Sequence, residues 1–427
     1  MKTRLQTAAW CLFDFANSAY TTLIVTVAYA VYFRDVVVNA KDNRGDEMWG
    51  TATFISMALV ALASPIVGAL ADYSGLKKAF LIASTLMTIG ATVVLFFVGP
   101  GDIALGMAMF IIGNFGFEVG YVFYNAFLPE VSTPETVGRV SGWGWATGYV
   151  GGLVCLMVCR PLISHPYKTP AGGLDPAGIS SYQWSFLLVA GFYLVFALPA
   201  FFLLKETPPQ GEARAVSEYL GIGLRRVGDT LRHLKQYKET AKFILASLFF
   251  TDGITTVIGF AGIYATTTMH FTNDELVWLF LVLNIAAFPG ALGAGYLADW
   301  IGPKRTLIAT LLLWLVIVIS AGMAASKPAF WAVAVGAAIG MGSTQAVGRS
   351  FMAQITPPAR SAEFFGFYVL SGKFASMFGP LIFGFMSSRT GSQRIAVLSL
   401  LPLFILGVAF MAAINERRAV EAAKEAA

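Results

Sequence analysis

Charge is what this sequence has least of. Asp, Glu, Lys and Arg make up only 12% of its 427 residues, against 57% hydrophobic residues. A soluble domain carries about a quarter charged residues, so this chain is expected to live in lipid. Cysteine is almost as scarce: Cys11, Cys155 and Cys159 lie inside apolar runs, without metal-ligand companions or the even count of a disulfide framework. They are read as packing residues. There is no Gly-x-x-x-x-Gly-Lys-Ser/Thr stretch, no His-Glu-x-x-His, and no Ser/His/Asp grouping outside the apolar runs. An ATP-driven pump and an enzyme are therefore not expected, and neither is a cofactor or a bound metal. The formal net charge of +5 would suit nucleic acid. However, the Lys and Arg residues sit in short loops and form no stripe, so no nucleic-acid partner is expected.

What the chain has instead is long apolar runs. At roughly 20 residues per crossing, twelve spans are expected, centred within 8–33, 48–70, 79–98, 103–128, 139–163, 183–204, 243–269, 276–298, 306–325, 329–352, 364–387 and 395–414. The first is too long for a signal-peptide core and is read as retained. The predicted division is an N-terminal six-helix bundle (1–204), a linker (205–242), and a C-terminal bundle with a short tail (243–427). Counting Lys and Arg on alternate sides places both termini and the linker in the cytoplasm of a multi-pass cell (inner) membrane protein. Within the linker, Ala215, Tyr219, Ile222, Val227 and Leu231 alternate with Arg225, Arg226, Arg232, Lys235 and Lys238. This pattern reads either as an amphipathic basic helix on anionic lipid or as a solvated, partner-binding linker.

One stretch occurs twice. Gly68-Ala69-Leu70-Ala71-Asp72-Tyr73-Ser74-Gly75-Leu76-Lys77-Lys78 returns as Gly295-Tyr296-Leu297-Ala298-Asp299-Trp300-Ile301-Gly302-Pro303-Lys304-Arg305. In each, an apolar helix ends at an Asp, a Gly allows a tight reversal, and paired cations hold the loop in water. The repeat makes the chain two related halves. A second correspondence supports this: 128–134 leads to Gly142 as 354–358 leads to Gly366. The loop motif resembles the signature between the second and third helices of major facilitator superfamily transporters, with Tyr73 where many members have a cation. That resemblance implies an all-α membrane protein of twelve transmembrane helices in two pseudo-symmetric bundles around a midplane site.

Further stretches narrow the resemblance. Trp10-Cys11-Leu12-Phe13-Asp14-Phe15-Ala16-Asn17-Ser18-Ala19-Tyr20, Phe123-Tyr124-Asn125-Ala126-Phe127-Leu128-Pro129 and the glycine-rich run from Val140 to Gly152 resemble the autophagy-related vacuolar effluxer family and its short bacterial forms. The resemblance implies export of amino acids, by analogy with the fungal branch. Peptides, sugars, organic anions, lipid-like molecules, or a transport-inactive receptor or scaffold with this fold stand as alternatives. The expected partners are a small polar solute, protons or another coupling ion, and membrane lipid, with the chain a monomer.

Ionisable residues deep in apolar runs call for explanation, since each costs several kcal/mol. Asp14 lies ten residues past Arg4, and Asp252 ten past Lys242, so both reach comparable depth in related helices. Asp14, Asn17 and Thr21 share one face, as do Asp252 and Thr256. These faces either line a cavity or tie neighbouring helices. Asn114, Glu118, Tyr121 and Asn125 form a polar stripe at helical spacing. Glu118 is the leading candidate for proton coupling, with Asp14 and Asp252 beside it, against a purely structural network. In the second half Gln345, Arg349 and Lys373 form a cationic counterpart suited to a carboxylate. Lys373 is assigned to substrate contact and Arg349 to gating. Trp143 and Tyr149 are expected in the cavity. The gate itself is assigned to Asp72, Gly75, Lys77, Lys78, Asp299, Gly302, Lys304 and Arg305. The glycines between 142 and 152 are read as helix-packing positions.

Overall fold

The structure is a computed structural model that describes residues 2–39, 44–169, 173–206, 221, 223–229, 237–375 and 378–425. Twelve helices in it are long and apolar enough to cross a membrane. They are α1 (Arg4–Val38), α2 (Arg44–Ser74), α3 (Lys77–Leu95), α4 (Ile103–Ala126), α5 (Val137–Ile163), α6 (Pro176–Leu203), α7 (Lys238–Thr267), α8 (Asn273–Ile301), α9 (Pro303–Met323), α10 (Lys327–Gln354), α11 (Pro358–Thr390) and α12 (Gln393–Ala412). The amphipathic pattern expected in the linker lies mostly outside the described residues, including Ala215, Tyr219, Ile222, Leu231, Arg232 and Lys235. Its described part, 223–229, is helical.

Several ends differ from the sequence expectation for local chemical reasons. α6 begins at Pro176 rather than near 183, because the Asp175 carboxylate caps Ala177 N–H and Gly178 N–H, and proline is tolerated at a first turn. α8 opens with a capping box in which the Thr272 hydroxyl accepts from Glu275 N–H while the Glu275 carboxylate accepts from Thr272 N–H. The Lys327 ammonium also hydrogen-bonds Glu275 and holds that carboxyl below its ordinary range, so this contribution is present at neutral pH and fades on acidification. α1 contains π-helical stretches at Tyr20–Val27 and Phe33–Val38. The short tail expected after the C-terminal bundle forms α13 (Glu416–Glu425), which buries Ala419 and Ala423.

By contact the described chain divides into two compact units. The first comprises residues 1–63, 74–124 and 147–209. Within it α1 and α5 meet backbone to backbone: Gly151 lies directly on the Phe15 carbonyl, and Gly148 on Asp14 and Ser18. The Thr147 hydroxyl donates to Cys11 O across the same contact (2.9 Å). The glycine spacing of α5 is thus a packing device, since any larger residue would force the helices apart. Trp10, Phe13 and Tyr124 stack beside it.

The second unit comprises 64–73, 125–146 and 210–427. It therefore holds the end of α2, the end of α4 and the start of α5 together with α7 to α13. Trp314 anchors its core, stacked on Phe404 and donating to the Thr344 hydroxyl at 3.1 Å.

Gly151→Ala is expected to cost about 1–3 kcal/mol through overpacking, read as a lower thermal midpoint of the purified protein. Gly191→Ala, which meets open space, is expected to leave the midpoint unchanged.

Candidate functional site

The repeated loops reverse as their second glycine requires. Gly75 has φ 64° and Gly302 φ 94°, in the left-handed region that favours glycine. Past each reversal a lysine turns back to its own half. Lys78 Nζ donates to Leu204 O at the end of α6 (2.9 Å), and its backbone N–H meets the Glu206 carboxylate. Lys304 Nζ donates to Ala412 O (3.0 Å) and Ile414 O (2.6 Å) at the end of α12. A cation at the carbonyl end of a helix is electrostatically favoured. Lys77 is buried and Arg305 exposed.

The two aspartates do the opposite and reach the other half of the sequence. Asp72, 6% exposed, accepts Glu363 N–H at 2.8 Å in the first α-helical turn of α11, which begins at Ser361 after a 3-10 turn. Asp299 accepts Gly138 N–H (2.8 Å) and Arg139 N–H (3.1 Å) in the first turn of α5, with Arg139 Nε 3.5 Å from the same carboxylate. Each carboxylate supplies the partner that first-turn amides lack and sits at the positive end of the helix dipole.

The first glycine of each motif makes this reach possible. Gly68 touches the Ala362 backbone, and Gly295 touches Gly138 O and the Gly142 backbone. On the receiving helices Gly366 meets Ser64 O and Pro65, and Gly142 meets Ala291 O. Sequence reasoning gave a role only to the second glycine of the motif. The first, one helical turn before the Asp, is what brings two backbones into contact.

Arg349, 2% exposed, fastens the same region. Its Nε donates to Ser141 Oγ (2.9 Å), Nη2 to Ser141 O (2.7 Å) and Nη1 to Asn125 Oδ1 (3.4 Å), and its guanidinium lies 5.2 Å from the centre of the Trp145 ring. One side chain of α10 thereby holds both α5 and the end of α4. Trp143, expected in the cavity, donates Nε1 to Tyr296 OH of α8 at 3.2 Å.

The polar stripe of α4 is divided. Asn114 donates to Ser56 Oγ of α2 (2.8 Å) and Asn125 is held by Arg349, so its two ends are ties. Glu118 and Tyr121 between them are half-buried, and Tyr121 stacks on both Phe117 and Tyr124. Asp14 is buried and accepts from Tyr124 OH (2.9 Å), while Trp10 Nε1 donates to Tyr124 O (2.8 Å). Asn17 is buried, and Thr21 donates back to Ser18 O (3.1 Å). In the second unit Asp252 is fully buried, and both its oxygens accept Gly379 N–H of α11 (2.9 and 2.8 Å) beside the buried Thr256. Gln345, Lys373 and, in the first unit, Tyr149 are half-buried. The sequence reading missed Ser141, Tyr124 as the partner of Asp14, and Glu363. Glu363 stands just ahead of the expected span 364–387, so the signal that singled out Glu118, an acid within an apolar run, did not reach it.

Twelve helices long and apolar enough to cross a membrane, in related halves cross-capped by a repeated aspartate loop, define a protein of the major facilitator fold. The structure of the human organic anion transporter MFSD10 has this fold, with a TM-score of 0.76 at 14% identity, covering 96% of this chain and 99% of that one. Residues 51–137 and 132–424 match the family described as "Vacuole effluxer Atg22 like", and the chain belongs to that family. Among relatives, the "Uncharacterized MFS-type transporter YxiO" of Bacillus subtilis (strain 168) is 27% identical over 422 residues, covering 98% of this chain and 97% of its own length. Autophagy-related protein 22 of Coccidioides immitis (strain RS) is 24% identical over 448 residues, covering 87% of this chain and 73% of its own length.

Arg349→Lys keeps the charge but gives up the fork on Ser141 and the stack on Trp145. It and Ser141→Ala are each expected to cost about 1–3 kcal/mol, with the double variant costing less than the sum in a thermal-unfolding cycle.

Proposed function

We propose that this protein is a secondary active transporter that moves a small polar solute, amino acids first among the candidates, across the inner cell membrane by alternating access. The reading rests above all on the reciprocal caps, Asp72 on α11 and Asp299 on α5. Each is a contact between sequence halves resting on one or two carboxylate–amide hydrogen bonds, strong enough to hold a closed state and weak enough to release. The excess of Lys and Arg in the loops on this side supports placing it, with both termini, in the cytoplasm. The rocking bodies are the bundles 1–204 and 243–427, joined by the linker.

Glu118 is the coupling residue of this proposal. It is the half-buried acid of the α4 stripe, between Asn114 and Asn125. Asp14 and Asp252, each set against a glycine of the fifth helix of its half, hold the crossings of α1 with α5 and of α7 with α11. Lys373 and Gln345 supply the polar and cationic side of the solute site. The family's effluxer description supports export, and the cationic Lys373 suits a solute bearing a carboxylate.

Asp72→Ala is expected to insert normally and to lose transport in proteoliposomes; full activity would remove the closure. Glu118→Gln is expected to retain solute exchange while losing the dependence of net transport on a pH gradient. Wild-type protein should show saturable counterflow of at least one amino acid, whereas a receptor or scaffold would show none for any solute.

A further inference from the structure

We infer that Asp252 and Thr256 of α7, facing Gly379 of α11, form a site for a monovalent alkali cation. The place is sealed: Asp252 is 0% and Thr256 1% exposed. Among the described residues the only donor to the Asp252 carboxylate is Gly379 N–H, 2.9 Å from Oδ1 and 2.8 Å from Oδ2, and no Lys, Arg or His pairs with it. A carboxylate has about four lone-pair sites, so one shared N–H leaves most of them unused and the charge uncancelled. Thr256 Oγ1, beside it, is buried and has no hydrogen-bond partner. A Cβ at Gly379 would strike that hydroxyl and stand 2.9 Å from Asp252 Oδ1 and 3.0 Å from Asp252 O. Hydroxyl and carboxylate thus line the one hollow that this glycine leaves.

The first half puts the same pieces to a different use. Asp14 and Ser18 stand four residues apart on α1, as Asp252 and Thr256 do on α7, and they too face a glycine of the fifth helix, Gly148. There the acid accepts from Tyr124 OH (2.9 Å), and Ser18 Oγ donates back to Asp14 O (2.8 Å). The alignment that sets Gly142 on Gly366 sets Tyr124 on Gly348, so the second half has no side chain where the first supplies a donor. Its hydroxyl is left over as well. An unpaired carboxylate and a bare hydroxyl inside a membrane-spanning helix are both costly, and a cation held by their oxygens removes the two costs together. Charge decides which cation. A monovalent ion neutralises one carboxylate, whereas a divalent ion would leave a buried positive charge. No group of three His, Cys, Asp or Glu side chains that could hold a metal forms among the described residues. Carboxylate and hydroxyl oxygens are hard ligands, which suits an alkali ion. The site owes nothing to the proton assigned to Glu118 or to the identity of the solute, and its occupancy can be measured without transport.

The test is equilibrium binding of radioactive sodium to the purified full-length protein, with choline chloride holding the ionic strength constant. Wild type is expected to bind one sodium ion per chain saturably, displaced by unlabelled sodium and not by choline, and to gain thermal midpoint as sodium is added. Asp252→Asn is expected to bind none and to show no such gain. Should Asp252→Asn fail to fold, Thr256→Val decides. It deletes a hydroxyl that bonds nothing in the fold, so it is expected to keep or raise the midpoint measured without alkali ions while weakening sodium binding at least about tenfold. If wild type binds no sodium, a proton alone neutralises the carboxyl and the site is overturned. It is equally overturned if Thr256→Val binds sodium as tightly as wild type. Either result leaves the Glu118 and counterflow predictions standing, because those are read from transport.

Discussion

A carboxylate resting on the first-turn amides of a helix from the other half of the sequence is the interaction on which this structure turns. Capping of this kind contributes about 0.5–2 kcal/mol each, so the pair at Asp72 and Asp299 provides a few kcal/mol in total. That is the range in which a two-state equilibrium can be tipped by a bound solute or a proton. A large apolar interface would be stronger and would not let go. The geometry carries its own requirement: the carboxylate reaches the amides only if the helices touch backbone to backbone. Gly68, Gly295, Gly142 and Gly366 are all at such points of contact. The repeated motif is therefore a joint whose glycines and acid are parts of one device.

The symmetry of the two joints is broken by charge. Arg139 and Glu363 occupy the same place in the repeat with opposite sign, so the halves share a backbone arrangement while differing in what each needs for neutrality. Beside these joints Arg349 makes a different kind of tie, with a planar fork on one serine and a ring beneath it. Its buried charge is spread over hydrogen-bond acceptors and an aromatic face. The region thus combines contacts cheap to open with one that is costly to desolvate twice.

Much of this was legible in the amino-acid sequence, and the reasons are physical. Lipid imposes a length on every crossing, so apolar runs reported the twelve spans directly. Duplication exposed the loop motif, because drift had left its glycines and acids in place. Caps shifted individual ends: the Asp175 cap started α6 several residues early. Periodicity marked the polar face of α4 but was silent on what stands opposite it, so Asn114 and Asn125 read like Glu118 until Ser56 and Arg349 were seen beside them. The π-helical stretches of α1 were invisible for a similar reason, since a run of apolar residues looks the same whether its turns are wide or narrow. Glu363 went unremarked because it directly follows a proline-rich loop, where a charge passes for a solvated one.

The lysines at the ends of α6 and α12 have a consequence for how such a joint separates. Each reversal is riveted on one flank to the last helix of its own half, through Lys78 to Leu204 and through Lys304 to Ala412 and Ile414. On its other flank it merely leans on a borrowed amide. Under the proposed alternating access, the seam would run between carboxylate and amide, and the reversal would stay with the helix that holds its lysine. A contact parted there could be remade without any loop having to refold.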